Sequence, residues 1–181
     1  MLQITIPGGS FFDEANEEFV DVKETKLQLE HSLISLSKWE SKWCKPFLSE
    51  TPKTSEENVD YVRCMTINQN VDPKVYYGIT PAQIKEINDY INAPMTATWF
   101  SEDKKTAKKN KEVITNELIY YWMVALQIPF ECEKWHINRL LTLIRVCNIK
   151  NEPPKKMSKR DLMSRNKSLN AARRAAAGSR G

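Results

Sequence analysis

The sequence predicts a helix-dominated α+β fold, and three observations carry that expectation. The first thirty residues alternate in polarity with a period of two, as half-buried strands do. From Ser32 onward the apolar residues recur at steps of three and four instead. Beyond Pro153-Pro154 the large apolar residues run out after Leu169, leaving a basic, Ala-rich arm. The predicted organisation is therefore a β-ribbon over residues 1–30, a helical domain over 31–152 and a basic arm over 153–181.

In the ribbon, Leu2, Ile4 and Ile6 share one face, Pro7-Gly8-Gly9-Ser10 has turn chemistry, and Phe19 to Val22 and Leu27 to Leu29 resume the alternation. Two or three antiparallel strands are expected. Leu33, Leu36, Trp39/Glu40 and Trp43 define a first helix that stops by Pro46. Thr54, followed by Glu56 and Glu57, opens a second helix with Val59, Val62, Cys64 and Met65 behind it. Thr80-Pro81-Ala82-Gln83 spells a capping box with proline at the first helical position, and Ile84, Ile87 and Ile91 follow it. This helix ends before Pro94. Met95 to Phe100 reads as a short strand or an extended connector, and Ser101 to Glu112 as a solvated loop or helix entry.

Glu117 to Leu126 is apolar on every side, which predicts the buried centre of a bundle. Pro129 separates it from a helix over Glu131 to Ile149 with the stripe Ile137, Leu140, Leu141, Ile144 and Cys147. Together they predict a C-terminal αα-hairpin whose main buried contacts are Leu118, Trp122, Leu126, Leu140, Leu141 and Ile144. The arm starts again at Ser158 as a weak helix to about Ala177, too poor in apolar residues to hold itself down until a partner is met.

Charge is unevenly distributed. Lys150 to Gly181 has ten Lys/Arg against two acids, a net of +8, whereas Met1 to Asp60 has six against twelve, a net of −6. The formal total of +4 conceals this. Such asymmetry suits a body whose basic arm meets an acidic surface or a nucleic acid better than it suits a pocket enzyme. The binding residues predicted on the arm are Lys155, Lys156, Lys159, Arg160, Arg165, Lys167, Arg173 and Arg174.

Catalytic signatures are missing from the sequence: no phosphate-cradling loop, nucleophile elbow, dinucleotide fingerprint or His-Glu-x-x-His occurs. Cys132 and His136 stand four apart, but a closed zinc site needs more ligands than two, so His136 and His31 read as structural histidines. The four cysteines are spaced like reduced thiols, and neither an export leader nor a membrane-spanning run is visible. Tyr120-Tyr121-Trp122 and Trp135 have the rings of a base-stacking platform without interleaved cations, which favours core packing. The expectation is a non-enzyme without metal or cofactor, in the cytosol.

The run Ile119-Tyr120-Tyr121-Trp122-Met123-Val124-Ala125-Leu126-Gln127-Ile128-Pro129-Phe130-Glu131-Cys132-Glu133-Lys134-Trp135-His136-Ile137-Asn138-Arg139-Leu140-Leu141, continued by Asn148-Ile149-Lys150-Asn151 and Pro153-Pro154-Lys155-Lys156-Met157-Ser158, resembles small proteins of long-tailed bacteriophages. These are encoded near the major tail protein and the tape measure, and some act as tail assembly chaperones. The resemblance spans roughly residues 115 to 175. It implies a non-catalytic protein of the infected host's cytoplasm that binds the tape measure protein and recruits tail-tube subunits such as the major tail protein. It also leaves room for a homo-oligomer. Strands at the N-terminus are unexpected in a helical chaperone. They keep open a structural role in the virion tail or head-tail connector, where ribbons extend neighbouring sheets. A nucleic-acid-binding phage protein ranks third, and a membrane has no place in any of these readings.

Overall fold

The computed structural model describes residues 1–13, 17–100, 113–152 and 159–178, which group into two compact units, Met1–Asn148 and Ile149–Gly181. The fold is a helix-dominated α+β arrangement that begins with antiparallel β-ribbons. The ribbon has four short strands rather than two or three: β1 (Leu2–Ile6), β2 (Gly9–Asp13), β3 (Glu18–Val22) and β4 (Thr25–Leu29). β1 pairs with β4 from Leu2 opposite Leu29 to Ile6 opposite Thr25, and β2 pairs with β3 from Gly9 opposite Val22 to Asp13 opposite Glu18. Both ladders share one register, so they are two halves of a single hairpin interrupted at Pro7-Gly8 and Lys23-Glu24. Proline has no N–H to give the ladder. Gly8 is held where a Cβ would lie 3.0 Å from the Glu24 nitrogen and 3.2 Å from the Val22 oxygen, a backbone approach that favours glycine. The turn chemistry read over four residues is thus used at two, and Gly9-Ser10 already belongs to β2.

The interruption swaps faces. In β1–β4 the inner residues are Ile4, Ile6, Leu27 and Leu29; in β2–β3 they are Phe11, Val20 and Val22. Uniform alternation from Ile6 would have turned Phe12 inward, yet Phe12 and its cross-strand partner Phe19 are exposed. A 3₁₀ helix, Pro73–Gly78, packs on the inner side of both halves. A Cβ on Gly78 would sit 2.7 Å from Ile6 Cγ2 and 3.2 Å from the Phe11 ring.

The first three α-helices share one starting device. α1 (Leu33–Trp43), α2 (Ser55–Met65) and α3 (Pro81–Asn92) all open on a reciprocal capping box, Ser32 with Ser35, Thr54 with Glu57 and Thr80 with Gln83. α1 stops at Cys44, which turns left-handed (φ 51°) and returns its N–H to the Glu40 carbonyl at 2.8 Å, two residues before Pro46. Its Leu33, Leu36 and Trp39 are buried, and the Trp39 indole donates to the Glu57 carbonyl at 2.9 Å. In α2 the anchors are Tyr61 and Met65, while Val59, Val62 and Cys64 are only half-buried. α3 buries Ile87 and Tyr90 and leaves Ile84 exposed. Met95 to Phe100 forms neither helix nor strand and starts with Met95 in the left-handed region (φ 49°), and the run 101–112 lies outside the described residues.

α4 (Asn116–Ala125) corrects the sequence reading. It buries Asn116, Ile119 and Met123 against α1, but Tyr121 is 65% exposed and Val124 61%. Its place is fixed by a buried carboxylate: Glu40 Oε2 accepts from the Asn116 backbone (2.8 Å) and side-chain amide (2.6 Å), and Oε1 accepts from the Phe47 N–H at 2.7 Å. A 3₁₀ turn, Phe130–Lys134, takes up the expected start of the next helix, so α5 runs over Ile137–Asn151. Ile137, Leu140 and Ile144 are its buried stripe. Of the residues expected in the core, Trp122, Leu126 and Leu141 are half-buried at its margin, and Leu118 is likewise only half-buried. α6 (Lys159–Ala176) is an 18-residue helix in the second unit.

Candidate functional site

Polar chemistry in the first unit converges on the exit of β4, at Glu30-His31-Ser32. The Glu30 N–H donates to the Met65 carbonyl (2.9 Å) and the His31 carbonyl accepts from the Ile137 N–H (2.7 Å), so α2 and α5 are both sewn to this segment. Tyr90 of α3 donates its hydroxyl to Glu30 Oε1 at 2.7 Å. His31 and His136, far apart in sequence, meet edge to face with ring centroids 5.0 Å apart. The His31 Nδ1 shares a hydrogen bond with the Tyr61 hydroxyl, and Phe47 stacks on Tyr61 at 3.7 Å.

The hydrogen bonds of His136 fix its tautomer. A carbonyl only accepts, so Nε2 carries the proton that is donated to the Tyr90 oxygen at 3.0 Å, and Nδ1 accepts the Asn138 N–H at 3.3 Å. A second proton would face that N–H, and burial holds the His136 pKa below its ordinary value. Burial, reinforced by His136, pulls His31 down to about 3. Tyr61 and Tyr90 are raised by burial and keep their protons. The two neutral histidines and the two protonated tyrosines lock ribbon, α2, α3 and α5 together, beside a Glu30 carboxylate that pairs with the Met1 ammonium at 2.9 Å.

Cys132 and His136 are both buried, and the His136 ring packs against His31 and Tyr90 rather than against a ligand set. Among the described residues no three His, Cys, Asp or Glu side chains are gathered as metal ligands. Burial pushes the Cys64 thiol up to about 11 and raises Cys132 as well, so both stay protonated. Nothing in the sequence could have announced the meeting of His31 and His136, because it depends on where β4 and α5 come together.

A groove of about 1150 Å³ runs between α2 and α3, with Val59, Val62, Tyr77, Ile84 and Ile91 on its walls. At its end near α1, Lys42 pairs with Asp60 (2.6 Å), which also accepts the Trp43 indole N–H at 2.9 Å. Lys45 pairs with Glu57, and that hydrogen bond holds the Glu57 carboxyl below its usual range.

Two exposed surfaces remain, one in each unit. Of the predicted arm residues, Lys155 and Lys156 lie outside the described residues, and Lys159, Arg160, Arg165, Lys167, Arg173 and Arg174 are exposed on α6. No described side chain of α6 is buried, and Leu162, Met163 and Leu169 stand open among the cations. Arg173 and Arg174 complement the partial negative charge of the helix end. At the outer end of the ribbon the Phe12 and Phe19 rings lie 5.2 Å apart and are 53% and 75% exposed. Sequence reading found the arm from its charge but missed this aromatic pair, because uniform alternation from Ile6 puts it on the inner face.

No family model matches the chain, and no curated protein or solved structure matches it. No helix among the described residues is long and apolar enough to cross a membrane.

Proposed function

We propose that this chain is a non-catalytic assembly protein that captures a helical partner through α6. α6 carries the reading: 18 residues that bury no described side chain while presenting three large apolar residues and six cations. A helix of this composition gains little from its own packing, so its stabilising contacts are sought in another molecule. The resemblance of residues 115 to 175 to tail assembly chaperones supplies the partner: the tape measure protein of a long-tailed phage, with tail-tube subunits recruited to the complex. The setting is the cytoplasm of an infected host. Calorimetric titration of the full chain, and of a chain ending at Asn151, into a tape measure segment tests this. The full chain should bind and the shortened one should lose most of its affinity; equal binding by both would refute the role of α6.

The outer ribbon favours a second reading, a structural protein of the virion tail, because exposed strands and aromatic rings suit addition to a neighbouring subunit. Mass spectrometry of purified virions separates the two, since an assembly chaperone is absent from the finished particle.

A further inference from the structure

We infer that the chain associates with copies of itself, α6 of one molecule lying on the Phe12–Phe19 face of another molecule's ribbon. The inference shares α6 with the proposed function but needs no tail protein.

Two surfaces carry it. Residues 17–24 contain four acids and one lysine, a net of −3, and lie beside the exposed Phe12–Phe19 pair. Residues 159–176 contain six cations and one acid, a net of +5, and bear exposed Leu162, Met163 and Leu169. The charges are opposite, and each surface offers large apolar groups that its own unit leaves uncovered. Leu162 and Leu169, seven residues apart, fall within about 20° of one another around the helix, so they form a single ridge. That ridge suits the shallow pair of rings, with cations on either side of it to meet the ribbon's carboxylates.

Charge also decides the pairing. Ribbon end on ribbon end, or α6 on α6, would bring like charges together, and only the unlike pairing attracts. It is met either by reciprocal exchange in a two-fold dimer or by passing from copy to copy in a ring or chain. The acidic and aromatic surfaces of the ribbon are then covered by the same helix that would otherwise hold the partner. Self-association and partner capture compete for α6.

Sedimentation velocity on the nuclease-treated full-length protein tests this, at about 0.1 M and about 1 M salt, where the Debye length falls from about 10 Å to about 3 Å. At the lower salt the mean mass should rise with concentration, and at the higher salt association should weaken at least tenfold. Phe12→Ser with Phe19→Ser removes the ribbon surface, and Arg173→Glu with Arg174→Glu reverses part of α6. All four side chains are exposed, and circular dichroism confirms that each variant is folded. Each variant alone should be monomeric. Mixed, they should form a one-to-one complex and go no further, because one retains its helix and the other its ribbon. A monomer at every concentration, or a dimer that both variants retain, overturns the inference. Titration of the ribbon variant into the tape measure segment addresses the proposed function separately. Undiminished self-association with no tape measure binding would sink that function and leave this inference standing.

Discussion

Lowering the pH from 7 to 5 should destabilise the first unit, and His31 sets the size of the effect. The ring is 2% exposed, and burial with His136 alongside holds its pKa near 3. In the unfolded chain a histidine titrates near about 6.5. Because the folded value is the lower one, the stabilisation is complete above about 6.5 and is lost as pH falls toward 3. At pH 5 the unfolded ring is almost fully protonated while the folded ring remains neutral, and linkage gives a loss of about 2 kcal/mol relative to pH 7. A folded value one unit higher would leave that figure nearly unchanged. His136 shifts in the same direction and adds to the loss. Glu57 and Glu117, both held below 4.5, lose their contributions only at lower pH, so this window isolates the histidines. Urea unfolding followed by tryptophan fluorescence at the two pH values gives the difference directly. His31→Gln should be less stable at pH 7 yet lose about 2 kcal/mol less on acidification than the parent chain. Equal stability of the parent at pH 5 and pH 7, or an undiminished drop in the variant, would refute the reasoning.

Three further outcomes follow from the packing. Leu140→Ala should cost about 2–5 kcal/mol in urea unfolding, because Leu140 is fully buried, and half-buried Leu141→Ala clearly less; the reverse order would put α5 in the wrong rotation. Gly78→Ala should cost about 1–3 kcal/mol by forcing a Cβ onto Ile6 and Phe11, and a neutral result would mean that the ribbon yields freely there. A chain ending at Asn151 should melt within a few degrees of the full one, since α6 buries none of its described side chains; early melting would make the arm part of the fold.

Local signals were the most legible. Thr80-Pro81-Ala82-Gln83 announced the start of α3, and the early acids after Thr54 marked α2, because a cap is completed by residues three apart. α4 misled for the opposite reason. Its apolar residues surround the helix, so periodicity had no phase to report, and only the placement of α1 and Glu40 decides that Ile119 and Met123 face inward while Tyr121 and Val124 do not. Leu141 was misjudged through the same blindness to rotation, lying beside the stripe rather than in it. On the candidate surfaces, the charge of the arm could be counted. The histidine lock could not be foreseen, since it is made where separate elements cross at Glu30-His31-Ser32.

The step at Pro7-Gly8 acts as a selector between two possible proteins. A ribbon has two pleat faces, and a ladder unbroken from Ile6 would hide Phe12 and Phe19 and display Phe11, Val20 and Val22 in their place. The sequence of the outer segment is compatible with either face being apolar, and what chooses is a residue without an N–H followed by one without a Cβ. Substituting both with strand formers, for example Pro7→Val with Gly8→Thr, would therefore do more than stiffen the hairpin: it would exchange which aromatic residues the molecule shows to its surroundings. Whatever recognises the ribbon end depends on two residues that never touch it.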